Sequence, residues 1–163
     1  MKKFELTNEF VTNMFGTKLF RIRALVEFGD VEAGELGGYV EKESNLGHDD
    51  NAWVYDNAWV YGNARVYGNA WVYGNALVCS DEDYAYAHGF GSVNRTTTFF
   101  RLKDGGVGVQ CGCFYGTLAQ FRDKIRETHG ETKKAQEYLM LADLMELRFE
   151  EDENEVGNRK YVE

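Results

Sequence analysis

The chain has 163 residues, a net charge of -9 and 44% hydrophobic residues. This excludes wholesale disorder and a broad phosphate-tracking surface for DNA or RNA, which needs clustered lysine and arginine. No segment approaches the roughly 20 apolar residues of a membrane-spanning helix. The start Met-Lys-Lys-Phe-Glu-Leu lacks the apolar stretch of a signal peptide, and the 3 cysteines are an odd number, so free thiols and a cytoplasmic protein are predicted.

In chain order, residues 1–44 read as an N-terminal β cap. Within them Leu19–Val26 has the partial alternation of a strand, and Gly34, Gly37 and Gly38 predict turns before Tyr39-Val40-Glu41. Residues 45–88 carry the repeat. Five hexapeptides begin at Asn51, Asn57, Asn63, Asn69 and Asn75, with Val54, Val60, Val66, Val72 and Val78 in one constant position. The phase runs back imperfectly to Asn45 and forward weakly through Asp81 and Tyr84. Six is even, so a strand-like unit keeps one face inward in every copy. Residues 89–149 form a C-terminal module. Thr96–Leu102 and Val107–Phe114 predict two strands joined at Lys103-Asp104-Gly105-Gly106, because Asp-Gly is a strong hairpin signal. Thr117 with Gln120 is a capping box for a helix that buries Leu118, Phe121 and Ile125 and ends near Gly130. A second helix over 131–149 places Ala135, Tyr138, Leu139, Ala142 and Met145 on one stripe, and 150–163 read as an acidic tail.

Four residues between turns make poor hairpin strands, so each short strand is predicted to pair with one a coil away. The valines followed four residues later by Ala58, Ala64, Ala70 and Ala76 resemble the hexapeptide signature of left-handed β-helix proteins. That resemblance implies a mainly β fold: a short left-handed β-helix, the hexapeptide solenoid, with the N-terminal cap, the C-terminal hairpin and two helices attached. Three hexapeptides per coil stack residues 18 apart at about 4.8 Å. Trp53 then lies over Trp71 and Tyr55 over Tyr73 on one face; Trp59 lies over Leu77 on a second; Arg65 lies over Asp83 and Tyr67 over Ala85 on a third. The Trp53, Trp71, Tyr55 and Tyr73 face is too aromatic to stay bare and predicts an oligomer interface, with a homotrimer favoured, or packing against the C-terminal helices, with a ligand-stacking face as the alternative.

Phe15–Leu25 with Gly37-Gly38-Tyr39-Val40-Glu41, and Thr96–Phe100 with Cys111–Leu118 and Glu127–Gly130, resemble modules of phage and prophage hexapeptide-repeat proteins, a group loosely described as transferase-like or polymer-forming. The resemblance implies a phage or prophage protein that inhibits host defence by sequestering a nucleotide-type signal or a host defence protein. Many hexapeptide-repeat proteins transfer acyl groups from coenzyme A with a histidine base, which makes acyl transfer the alternative and a structural oligomer a further one. The residues here give that chemistry little. His48 falls in the inward phase, His129 at a helix end, and His88 just past the repeat, with no extruded loop. Cys111-x-Cys113 puts two sulfurs on one strand face, short of the four ligands of structural zinc. No catalytic residue, metal or cofactor is assigned, and the protein is read as a non-enzyme. Arg95, Thr97 and Arg101 share a strand face by alternation beside Phe99, with His88 near. Arginine and hydroxyl donors suit phosphate and rings suit a base, so these five residues are the predicted ligand site.

Overall fold

The computed structural model describes residues 2–91 and 95–150. The acidic tail, Glu150 apart, lies outside the described residues. Strands β1 (Phe4–Thr12), β2 (Lys18–Ala24) and β3 (Leu36–Val40) open the chain. The repeat supplies four two-residue strands: β4 (Trp53–Val54), β5 (Trp59–Val60), β6 (Trp71–Val72) and β7 (Leu77–Val78). Then follow β8 (Tyr84–Phe90), β9 (Arg95–Arg101), β10 (Val107–Cys111), β11 (Phe114–Thr117), α1 (Leu118–His129) and α2 (Lys133–Phe149). Among the described residues no helix is long and apolar enough to cross a membrane.

The left-handed β-helix of the sequence reading is not what the chain forms. The strands make three separate sheets: a mixed one in the order β1-β2-β3-β5-β7, an antiparallel one in the order β11-β10-β9-β8, and the pair β4-β6. Parallel pairing 18 residues apart does occur, as Trp53 with Trp71 and Trp59 with Leu77. The third stack does not form. Val66 bridges to Leu46 instead, and the segment meant to lie over Arg65 and Tyr67 turns into β8 and pairs antiparallel with β9. The physical reason is length. Five hexapeptides fall short of two full coils of three, so the third face has no second copy to pair with. The open ends are taken by other strands: β3 pairs parallel with β5, and Ala76 bridges to Leu102. Gly37 and Gly38 are strand residues of β3 rather than turns, and a Cβ on Gly37 would stand 2.8 Å from the Trp53 ring.

The inward positions behave as the repeat predicts. Ala52, Val54, Ala58, Val60, Ala64, Val66, Ala70, Val72, Ala76 and Val78 are all buried in one cluster with Phe4, Ile22, Trp53 and Phe100. A second core joins the antiparallel sheet to the helices through Phe99, Val109, Phe121, Ile125, Tyr138 and Met145. The local signals at the helices hold: Thr117 accepts from the Gln120 N–H as the Gln120 side chain accepts from the Thr117 N–H, and Thr132 caps α2. The predicted stripe of α2 is buried at Ala135, Tyr138, Ala142 and Met145.

One buried ion pair ties the end of the repeat to the C-terminal module. The Asp83 carboxylate accepts from the Cys79 and Ser80 N–H groups at 3.0 and 3.2 Å and from Arg101 Nε at 3.3 Å. Arg101 also donates to the Phe149 carbonyl at 3.3 Å and lies over its ring. Both side chains are almost wholly buried. Removing one partner leaves a desolvated charge, so Asp83→Ala is expected to cost about 3–5 kcal/mol in chemical denaturation, and the double change Asp83→Leu with Arg101→Met much less.

Candidate functional site

Alternation along β9 puts Arg95, Thr97, Phe99 and Arg101 on one face, which is buried from Thr97 onward and exposed at Arg95, while His88 lies on β8. Thr97, Phe99 and Arg101 point under the helices. Thr97 donates to Cys111 Sγ at 3.2 Å, Phe99 meets Phe121 edge-on at 6.0 Å, and Arg101 holds Asp83. All three are buried parts of the scaffold, so they are not a ligand face. Arg95 and His88 remain at the surface, and the structure brings them together with residues of the repeat.

The cleft they share has a volume of about 490 Å³ and is lined by His88, Arg95, Thr96, Gln110, Gly112 and Cys113 from the antiparallel sheet, with Trp71, Asn51, Asn69, Gly29 and Asp30 opposite. Each side chain has a local cause. Trp71 is held at its backbone, where its N–H donates to Thr98 Oγ1 at 3.0 Å, and at its ring, where Nε1 donates to the Asn51 carbonyl at 3.2 Å. Tyr55 meets the indole edge-on at 5.7 Å. His88 pairs with Thr96 across the strands, and its Nδ1 lies 2.6 Å from Thr96 Oγ1. Gln110, cross-strand from Thr98, is buried and spends its amide N–H on the Gly112 carbonyl at 2.9 Å.

Arg95 is seated by Gly112. The glycine has φ +59, and a Cβ built there would collide with the guanidinium. The arginine therefore lies across bare backbone at the end of β10. None of the ion pairs among the described residues involves Arg95, and the nearest carboxylate lining the cleft is Asp30. Its charge faces the same space as the partly exposed indole. This arrangement offers an aromatic face, one exposed cation and several amide and hydroxyl groups, which suits a flat ring carrying an anionic group.

The other sequence candidates sit elsewhere. His48 stacks on Phe4 at 4.3 Å, accepts the Lys3 N–H at Nδ1 and directs Nε2 toward Glu43. His129 stacks on Tyr138 at 5.8 Å. The Cys111–Phe114 stretch is not one strand: β10 ends at Cys111 and β11 begins at Phe114. Cys111 Sγ is 3.8 Å from the Tyr138 hydroxyl, and burial pushes that phenol well above its usual value, with Cys111 adding to the shift. Among the described residues no group of three or more His, Cys, Asp and Glu side chains gathers to hold a metal ion. The aromatic face divides. Trp53 is wholly buried, enclosed within the chain by Phe28 at 5.3 Å and Phe4 at 6.4 Å. Tyr55 stacks on Tyr73 at 4.2 Å, and Tyr73 meets Tyr115 of β11 at 5.9 Å. Burial first of all pushes up the phenols of Tyr55 and Tyr73. The chain itself thus covers much of this face, with N-terminal rings and Tyr115 of β11 rather than with the C-terminal helices.

The sequence reading places Trp71 on that face, weighs Cys113 only as half of a cysteine pair, and gives Gln110 and Gly112 no role in a site. The available signal was Gln110, a polar residue inside the apolar run Val107–Cys111. Gly112→Ala is expected to destabilise by about 1–2 kcal/mol from the left-handed backbone alone, and by more from the displaced guanidinium. In the double variant with Arg95→Ala only the backbone part should remain, a non-additivity that denaturation curves of the four proteins would show.

No protein-family model matches this chain, and a search of curated proteins finds no match either. Neither comparison gives support to a phage origin or to a counter-defence role.

Proposed function

We propose that this is a non-enzymatic binding protein that sequesters a small, flat, anionic molecule of nucleotide type in the cleft between Trp71 and Arg95. The observation that carries the reading is the Arg95 guanidinium, seated on Gly112 and facing the partly exposed indole of Trp71. A base stacks on an indole whatever its identity, and a phosphate takes paired donors from an arginine. Gln110 and Thr96 hold the floor, while Asn51, Asn69 and His88 supply exposed polar groups at the rim. The cleft volume of about 490 Å³ lies within the range of small-molecule sites. The wall contributed by the repeat is fixed by backbone pairing of Trp53 with Trp71 on one side and by Thr98 on the other, so binding needs little ordering of the protein.

Titrating adenosine 5′-monophosphate, adenosine and inorganic phosphate into the full chain tests this, followed by calorimetry and by indole fluorescence. The monophosphate is expected to bind and to quench Trp71, with adenosine and phosphate each weaker. Loss of a charge-assisted contact in Arg95→Ala should weaken the monophosphate about tenfold or more. Trp71→Ala should weaken it and remove the quench. Equal affinity of the Arg95→Ala protein for the monophosphate, or no binding by any of the three, would overturn the reading.

A further inference from the structure

Arg95 and Cys113 line a second recess besides the Trp71 cleft. It has a volume of about 250 Å³ and lies between the end of β10 and helix α1. Its floor is apolar: Phe114, Phe121 and Ile125, closed by the Tyr138 ring. Phe121 and Ile125 are buried there by the periodicity of α1, and Phe121 is fixed by edge-on contacts with Tyr138 at 5.7 Å and Phe99 at 6.0 Å. Its polar groups are Arg95, Lys124, Thr128 and His129, with the thiols of Cys111 and Cys113. No aspartate or glutamate lines it, although the chain carries 27 of them against 18 lysines and arginines. Glu127 meets Lys124 only at 3.8 Å, with both side chains more than half exposed, so that contact holds the ammonium weakly.

An apolar floor beside two exposed cations has a definite chemical complement. A neutral apolar molecule would leave Arg95 and Lys124 unanswered. A compact phosphate would leave the Phe114, Phe121 and Ile125 floor unfilled. A short apolar or aromatic body ending in a carboxylate answers both. The body takes the floor and the ring of Tyr138, and the carboxylate accepts from the guanidinium and the ammonium. We propose that this recess is a binding site for a small apolar carboxylate of about the size of benzoate. It shares Arg95 and Cys113 with the Trp71 cleft but otherwise rests on different residues, and it stands whether or not a nucleotide occupies that cleft.

Benzoate and its neutral analogue benzyl alcohol are the probes, titrated into the full chain with ligand-observed NMR. Benzoate is expected to bind at least about tenfold more tightly, because the charge-assisted contacts exist only for the carboxylate. Lys124→Ala removes an exposed side chain that the fold does not need. It should lower benzoate affinity about tenfold and leave benzyl alcohol unchanged. Trp71→Ala separates the two sites: benzoate binding should persist in that variant. Benzoate binding no tighter than benzyl alcohol, or an unchanged affinity in Lys124→Ala, would overturn the proposal. So would loss of benzoate binding in Trp71→Ala, which would place the molecule in the first cleft. The adenosine monophosphate titration reads the Trp71 cleft separately, so either proposal can fail without the other.

Discussion

From Thr97 to Arg101 both faces of β9 are buried, and the strand stands between the two cores of the molecule. Its even residues Thr98 and Phe100 face the repeat, where Thr98 accepts from the Trp71 N–H and Phe100 joins the valine and alanine core. Its odd residues Thr97, Phe99 and Arg101 face the helices. A strand alternates by geometry, so no residue of β9 can be moved to the other core without shifting all of them. Arg101 with Asp83 fixes the register from below, since the same carboxylate also closes the turn that ends the repeat. Arg95 stands at the free end of this clamped strand and inherits its position from it.

What was legible in the sequence follows from how local each signal is. The Thr117–Gln120 capping box, the Asp104-Gly105 hairpin and the buried stripe of α2 each depend on a few neighbouring residues, and each is found where it was read. The pairing of Trp53 with Trp71 and of Trp59 with Leu77 was legible because an even repeat fixes register as well as face. Closure into a left-handed β-helix was a different kind of inference. It requires every face to find a partner, and that depends on how many copies there are and on what the flanking strands do. Here β3 takes the open edge of β5 with a ladder of two residue pairs, and the chain beyond the repeat pairs as β8 with β9 instead of adding a sixth hexapeptide. Strands β1 and β8 pair with partners that carry no repeat, and nothing in their own alternation was read as decisive.

The site shows the same division. Arg95 and His88 could be found because a charged residue and a histidine beside a strand end are conspicuous in the sequence. Trp71 was seen as an aromatic but placed on a free face. Whether that face is free depends on Phe4, Phe28 and Tyr115, which come from distant parts of the chain. Thr97 and Arg101 matched the chemistry of phosphate binding by type and by alternation. They fail as ligand residues because two helices pack on the face they share, a fact of tertiary structure that alternation alone does not contain. Their hydroxyl and guanidinium are consumed by Cys111 and Asp83, as buried polar groups must be.

The hexapeptide acts here as a docking surface rather than as an independent rod. Its sixth position is glycine in three copies, and at Gly68 and Gly74 the φ is positive and the space a side chain would fill is taken by the hydroxyls of Tyr86 and Tyr115. The antiparallel sheet therefore sits directly on two of the repeat's turns. The first copy has Asp56 in that position, also at positive φ. An aspartate tolerates this conformation better than most residues. The third glycine, Gly62, lies against the Cys79 carbonyl of the repeat itself, so two of the three mark where the sheet lands. This contact is what turns a short, regular repeat into one wall of a cleft. Without Tyr86 and Tyr115 seated on those turns, Trp71 would face solvent alone, and Arg95 would have no aromatic surface opposite it.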